Sequence, residues 1–363
     1  MNARRLAMLL LPLSIALACS AGEPARKPEP HPSARAYDGS FPPRGPIVLR
    51  PATPPAEGTL YQLQMKYEGR SEVLRENSTT DGPETLDELL LFELDYLQVA
   101  VASPDPDSVA SSLVLDALRR KARVAPPGAE IGLEIADDRI RTQSGEKVDI
   151  DLQGAQPKGD LTPRSVLNRP FALLVTDARG NPEGVTLRGI PSAKRLLASL
   201  PIRESIAWVQ VGLPEGPVSA GATWSAKRFL PNPIGRLGAG VEIEHRLVGF
   251  EMVDGVPCAR VSLRAKQDAE NAPSEFGFTF EQLRVELSGD AWIALGSSEV
   301  QMLRLEDVAA VAYKRTIGAT PARFRARYQG RASLARLDAA TTANMPWADG
   351  TKRFAEVARK SRE

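Results

Sequence analysis

Residues 259–266 read ARVSLRAK, in which Ala259, Val261, Leu263 and Ala265 alternate with Arg260, Ser262, Arg264 and Lys266. A period of two sends every second side chain to the same face of an extended chain, so this run dictates a strand buried on one side and wet on the other. Phe276, Phe278 and Phe280 keep the same period, and strand-like segments recur at 285–287, 292–295, 300–305, 308–313 and 324–334. Upstream, 241–252 is a long strand whose apolar register changes near Gly249, which predicts a bulge. Asp254-Gly255 supplies a tight hairpin turn. Regularly spaced strands with few helical patterns predict curved antiparallel sheets.

The first half is more mixed. Leu63, Met65 and Tyr67 alternate with Gln62, Gln64 and Lys66, giving a strand over 60–67 that Gly69 ends, with a second over 71–76 and another from about Leu90. Ala110, Leu113, Val114, Ala117 and Leu118 follow a helical spacing behind Asp107 as a cap, and Arg119, Arg120 and Lys121 suit a helix C-terminus. The pattern predicts a helix over 107–121. Two short strands are expected around Asp137-Asp138, a loop over 154–170, a hairpin from 171–176 and 185–188, and a short helix over 191–200 capped by Ser192. The fold class expected is α+β and β-rich: curved antiparallel sheets in two lobes, 58–212 and 213–337, with one or two packing helices. By topology this resembles the half-barrel, clam-like fold of lipoprotein carriers.

The lobes meet at 213–224, LPEGPVSAGATW. Pro214 and Pro217 exclude regular helix or central strand there, and Gly216 and Gly221 permit turns. Trp224 then opens a strand, so its indole is expected to be buried between the halves, with lining of a ligand cavity as the other reading. PEGPVSAGATW resembles the P-x-x-P-V-x-x-G-x-x-W signature of an uncharacterised family of bacterial exported proteins. Residues 169–189 resemble that family's upstream strand, D-x-x-G, strand pattern. The resemblance covers 60–337, departs at Ala222 where an acidic residue is usual, and implies no activity.

The N-terminus carries an address. Arg4 and Arg5 precede the apolar stretch 6–17, too short to span a bilayer, and small residues lead to Cys19. The pattern is similar to the bacterial lipoprotein signal, which implies a signal peptide over 1–18, lipidation of Cys19, and sorting to the outer membrane because Ser20 follows. Ala16 stands where leucine is usual, so ordinary signal-peptide cleavage, giving a soluble periplasmic or secreted protein, is the rival expectation. A triacylated cysteine anchors stably. Residues 19–57 carry ten prolines after position 20 and read as a disordered tether, and 338–363 as a polar tail.

Chemistry is scarce. His31 lies in the tether, and His245 shares the face of Val241, Ile243 and Leu247, where a histidine is expected as a satisfied core group or as part of a cavity wall. One histidine and Cys258 make no zinc set, and no nucleophile elbow or phosphate loop is present. No metal and no cofactor are expected. With a net charge of +1 and interspersed signs, nucleic acid is excluded as a main partner. Carboxylate pairs stand at 137/138, 149/151, 242/244 and 281/286. The expected function is a non-enzymatic, outer-membrane-anchored envelope or binding module that partners an apolar ligand or an envelope protein. The alternatives are a lipid carrier with a half-barrel cavity and, more remotely, a carboxylate-based hydrolase.

Overall fold

The computed structural model describes residues 39–337, apart from 53, 55–57, 76–82, 104, 126–127, 129, 230–239, 274–278 and 318–319. The signal peptide, Cys19, His31 and the C-terminal tail lie outside the described residues, as do Phe276 and Phe278.

The first half holds β1 (Thr59–Arg75), β2 (Glu84–Val101), β3 (Ser108–Ala125), β4 (Glu130–Ala136), β5 (Arg139–Ser144) and β6 (Lys147–Gln153). A single turn α1 (Pro163–Val166), the hairpin β7 (Pro170–Asp177) and β8 (Pro182–Leu187), and helices α2 (Pro191–Ala198) and α3 (Ile202–Trp208) follow. The second half is a meander of β9 (Thr223–Phe229), β10 (Gly240–Val253), β11 (Val256–Pro273), β12 (Thr279–Ala294), β13 (Val300–Ile317) and β14 (Thr320–Arg336).

All strands belong to one antiparallel sheet, ordered β6-β5-β4-β3-β2-β1-β14-β13-β12-β11-β10-β9. The first and last of the described strands pair in the middle of it, Leu63 opposite Leu334, so the two halves share one hydrogen-bonded ladder. The sheet is not closed: β6 and β9 end the path. It also forks. β4 pairs with the second part of β3, Leu118–Arg123, while β7 pairs with the first part, Ser108–Val114.

The apolar alternation becomes one continuous face. Ile135, Leu118, Leu94, Leu63, Leu334, Leu303, Ala291, Val261 and Leu247 stand side by side in register from β4 to β10, and all are buried. Helices α2 and α3 pack against β8, and α3 against β9. They are 8 and 7 residues long, whereas β1–β3 and β11–β14 run for 16 to 18, so they cover only part of this face. Its residues on β1–β4 and on β10–β14 nevertheless form one buried cluster. Burial over that area requires the sheet to curve around its own apolar face.

The helix expected over 107–121 is strand β3. A bulge opposite Asp95 and Tyr96 inserts Asp116, so the inward residues run Leu113, Leu115, Leu118. That three-residue step imitates a helical period. Val114 and Ala117 on the other face are buried too, Val114 in a second cluster with Leu60, Leu97 and Val99, which completes the false helical stripe.

Gly69 does not end β1. It faces Tyr328 of β14, whose ring occupies the space a side chain at 69 would need. Gly330 plays the same part between Tyr67 and Asp307. The predicted helix near 191 is α2, entered through Pro191 with Ile190 as a cap that makes no side-chain bond; Ser192 is inside it. Helix α3 was not expected. The bulge near Gly249 and the Asp254-Gly255 turn are present, the latter with φ of 49° and 79°. Within the segment assigned to the tether, Ile47 and Leu49 are buried in the core, and Ile47 exchanges two backbone hydrogen bonds with Val218.

Candidate functional site

Residues 209–213 link α3 to the approach of β9 and lie across one end of the apolar face. Val209, Val211 and Leu213 are buried, which fixes this strap by the same alternation as a strand. Its polar groups are held from two sides. Leu213 N donates to Arg179 O (2.8 Å), and Arg179 Nε donates back to Leu213 O (3.2 Å). Arg179 also reaches Ser225 O (3.2 Å) and Glu215 (2.9 Å). Trp224 Nε1 donates to Gly212 O at 2.7 Å.

Trp224 stacks on His245, with ring centroids 5.6 Å apart and planes 13° from parallel. His245 is buried at 1% exposure, with Nδ1 3.0 Å from Ile243 O. The two side chains singled out in the sequence are thus brought together, but they line none of the cavities described below. Trp224 is half-buried and not enclosed as expected; among the described strands β9, which carries it, ends the sheet.

Beneath the strap the apolar face leaves a cavity of about 70 Å³. Tyr61 and Tyr96 face one another across β1 and β2 on its wall, their ring centroids 5.8 Å apart. Their residues are 5% and 1% exposed. Gln98, Ser111, Thr176 and Gln210 add polar groups, with Gln98 Nε2 donating to Ser111 Oγ at 3.1 Å and Gln210 Nε2 to Ile206 O at 2.9 Å. No side chain that ionises near neutral pH lines the cavity among the described residues. Burial raises both phenols far above their ordinary range, and for Tyr61 the nearby Glu299 and Tyr96 add to it. Glu299 is itself buried and held by Thr59, Ser297 (2.9 Å) and Arg336 (2.8 Å).

A larger depression of about 530 Å³ crosses β3, β2, β1, β14 and β13. Its wall takes three successive residues from each strand: Lys66, Leu91, Arg119, Lys121, Arg304 and Arg331 flank the row Met65, Phe92, Arg120, Leu305 and Ala332, of which all but Arg120 belong to the buried core. Its cations are largely spent on neighbours: Arg119 meets Glu93 (2.6 Å) and Glu134 (3.5 Å), Lys121 meets Glu130 (3.7 Å), Lys66 meets Glu68 (2.9 Å) and Arg331 meets Glu306 (3.3 Å). A third cavity, about 590 Å³, borders β9–β11 at Lys227, Glu242 and Lys266.

The carboxylate pairs legible in the sequence are at the surface: Asp137, Asp138, Asp149, Asp151, Glu242, Glu244 and Glu286 are exposed, and Glu281 binds Lys314 and Arg323. The sequence reading missed the buried acids. Desolvation pushes Asp116 up to about 8, with the charges of Asp95 and Asp137 adding to it, and Asp95 up to about 6. Asp307 is pushed up to about 7 by burial alone, and Glu88 is raised by burial against a hydrogen bond from Ser71 (2.7 Å). The available signal was an acid within an apolar stretch, as in 94–97 and 305–309. None of these acids lines a cavity described above. Cys258 is a free buried thiol raised to about 11.

The chain matches no family model and no curated protein. Among solved structures it is similar to lipovitellin, in a structure concerned with lipid–protein interactions, at 9% identity and a TM-score of 0.37; the match covers 77% of this chain, which spans 25% of that one. The β domain of the Bordetella autotransporter BrkA matches 77% of this chain and 100% of its own at 10% identity and a TM-score of 0.19. Salmonella typhi OmpF, in complex with daunomycin, matches 76% of this chain and 98% of its own at 11% identity and 0.17. These scores are far short of a shared fold.

Proposed function

We propose that the protein is a lipoprotein held at the outer membrane through Cys19, and that its folded part binds a ligand or envelope partner without transforming it. The observation that carries the binding reading is the buried apolar face of the sheet. The inward residues at the centre of the sheet, Leu63, Leu94 and Leu118, are fully buried, and the space left beneath the strap is about 70 Å³. A drug-sized or lipid-sized ligand takes roughly 300–1,000 Å³. The space beneath the strap is too small for a lipid, and the β1–β14 ladder joins the halves 58–212 and 213–337. The non-enzymatic reading draws on the neutral lining of the cavity and on the seclusion of Asp95 and Asp116 from it.

Anchoring rests on the N-terminal motif and its resemblance to the lipoprotein signal. Cys19→Ala is expected to move the chain from the membrane fraction to the soluble periplasm with its melting unchanged. An intact mass showing an unmodified mature protein would refute the anchor.

A further inference from the structure

We propose that the outer face of β14, with its neighbours on β1 and β13, is a docking surface for an anionic lipid bilayer. This goes beyond the acyl anchor and does not need it, because the surface belongs to the folded part.

Strand β14 carries Arg323, Arg325, Arg327, Arg331 and Arg336 and no acidic residue, in a chain whose net charge is +1. Its inward side chains Ala326, Tyr328, Ala332 and Leu334 are buried, while Arg323, Arg325, Arg327 and Arg331, on the other face, are exposed. Alternation thus sets these guanidinium groups in one row, about 27 Å long at the rise of an extended chain. The neighbouring strands add to the row. Arg70 of β1 stands directly opposite Arg327 and Lys66 opposite Arg331, and Lys314 of β13 stands opposite Arg323. Like charges in register repel. Glu281 is shared by Arg323 and Lys314, Glu306 takes Arg331 and Glu68 takes Lys66. Among the described residues no ion pair involves Arg70, Arg325 or Arg327, although Glu72 stands opposite Arg325. An anion above the row relieves the repulsion between Arg70 and Arg327 without displacing an acid from them.

The place of the row selects the partner. β14 is seventh of the twelve strands along the sheet path, and the sheet curves around its apolar face, so β14 runs along the ridge of the convex side. A flat partner meets a convex sheet along that ridge first. Guanidinium groups spread along a line fit phosphates spread over a surface, each fork binding its phosphate through paired hydrogen bonds. Val308, opposite Gln329 within the row, and Leu74, opposite Arg323, are 37% and 47% exposed. Apolar side chains among the cations suit the boundary between headgroups and acyl chains, where attachment grows with both the apolar area and the charge. A soluble polyanion offers these apolar groups nothing.

The test uses the full mature chain with Cys19→Ala, so that no acyl chain contributes, and measures its partition onto sedimenting vesicles. Vesicles of equimolar phosphatidylcholine and phosphatidylglycerol are compared with phosphatidylcholine alone. The chain is expected to bind the anionic vesicles, to leave them as salt rises, and not to bind the neutral ones. Arg325→Gln combined with Arg327→Gln is expected to weaken binding about ten-fold or more. Both side chains are exposed, so this variant is expected to melt like wild type. Arg246→Gln combined with Arg264→Gln removes the same charge from exposed positions on β10 and β11, away from the ridge, and is expected to bind like wild type. No partition onto anionic vesicles, or equal partition onto both kinds, overturns the inference. So does unchanged binding in the ridge variant, an equal loss in the β10–β11 variant, or retention by polyphosphate with no partition onto vesicles. Each of these leaves the Cys19 anchor standing, since that anchor is read from the wild-type chain by membrane release and intact mass.

Discussion

Asp307 is the residue whose position is least explained by the needs of a sheet. It sits at 2% exposure on the apolar face of β13, level with Gly330 and Tyr67. Its Oδ1 and the Tyr67 hydroxyl have no partners, and Tyr67 is raised first by burial and then by the Asp307 charge. The Asp307 carboxyl is pushed up to about 7, from an ordinary value near 3.8. The proton is thus held more tightly in the folded chain than in the unfolded one. Below about pH 3.8 both forms are protonated and nothing is lost; as pH rises towards 7 the unfolded form ionises first, so stability falls across that window and stays low above it. Asp307→Asn mimics the protonated acid. It is expected to raise the melting midpoint at pH 8 by about 3 °C or more and to change it little at pH 4. Equal midpoints for variant and wild type at pH 8 would show that the carboxyl is hydrated or paired in solution.

Trp224 shows how an element holds its neighbour. The strap 209–213 gains one of its fixings from the indole, through Gly212 O, and Gly212 is buried. Trp224→Phe keeps a ring against His245 but leaves that carbonyl unsatisfied, a cost of about 1–3 kcal/mol. Amide exchange is expected to quicken in 209–213 while β12 and β13 stay protected; exchange unchanged in the strap would contradict its being pinned there. The full-burial estimate for removing a tryptophan does not apply, since the ring is only half-buried. The junction was legible because prolines, glycines and a single large aromatic leave few options to the backbone. Strand β3 was not, because a one-residue bulge and burial on both faces turn alternation into a helical spacing. The Tyr61–Tyr96 cavity was not legible either: the residues stand on different strands, the strap arrives from more than a hundred residues away, and nothing local marks them as partners.

Across the molecule, periodicity specified strands and the apolar face, while pairing between the ends of the chain had no local trace. The meander of β9–β14 follows from hairpins between neighbours, whereas the β1–β14 ladder that makes one sheet of both halves is a long-range pairing. The inward residues of that sheet are buried, and the proposal of a binding module over a lipid carrier rests on that burial. The direct measurement is the lipid content of the folded part. Residues 39–363, prepared without the leader and anchor and incubated with phospholipid vesicles and an apolar fluorescent probe, are expected to carry no lipid in native mass spectrometry and to leave the probe unenhanced. One phospholipid retained per chain would contradict the closed interior and establish the carrier in its place.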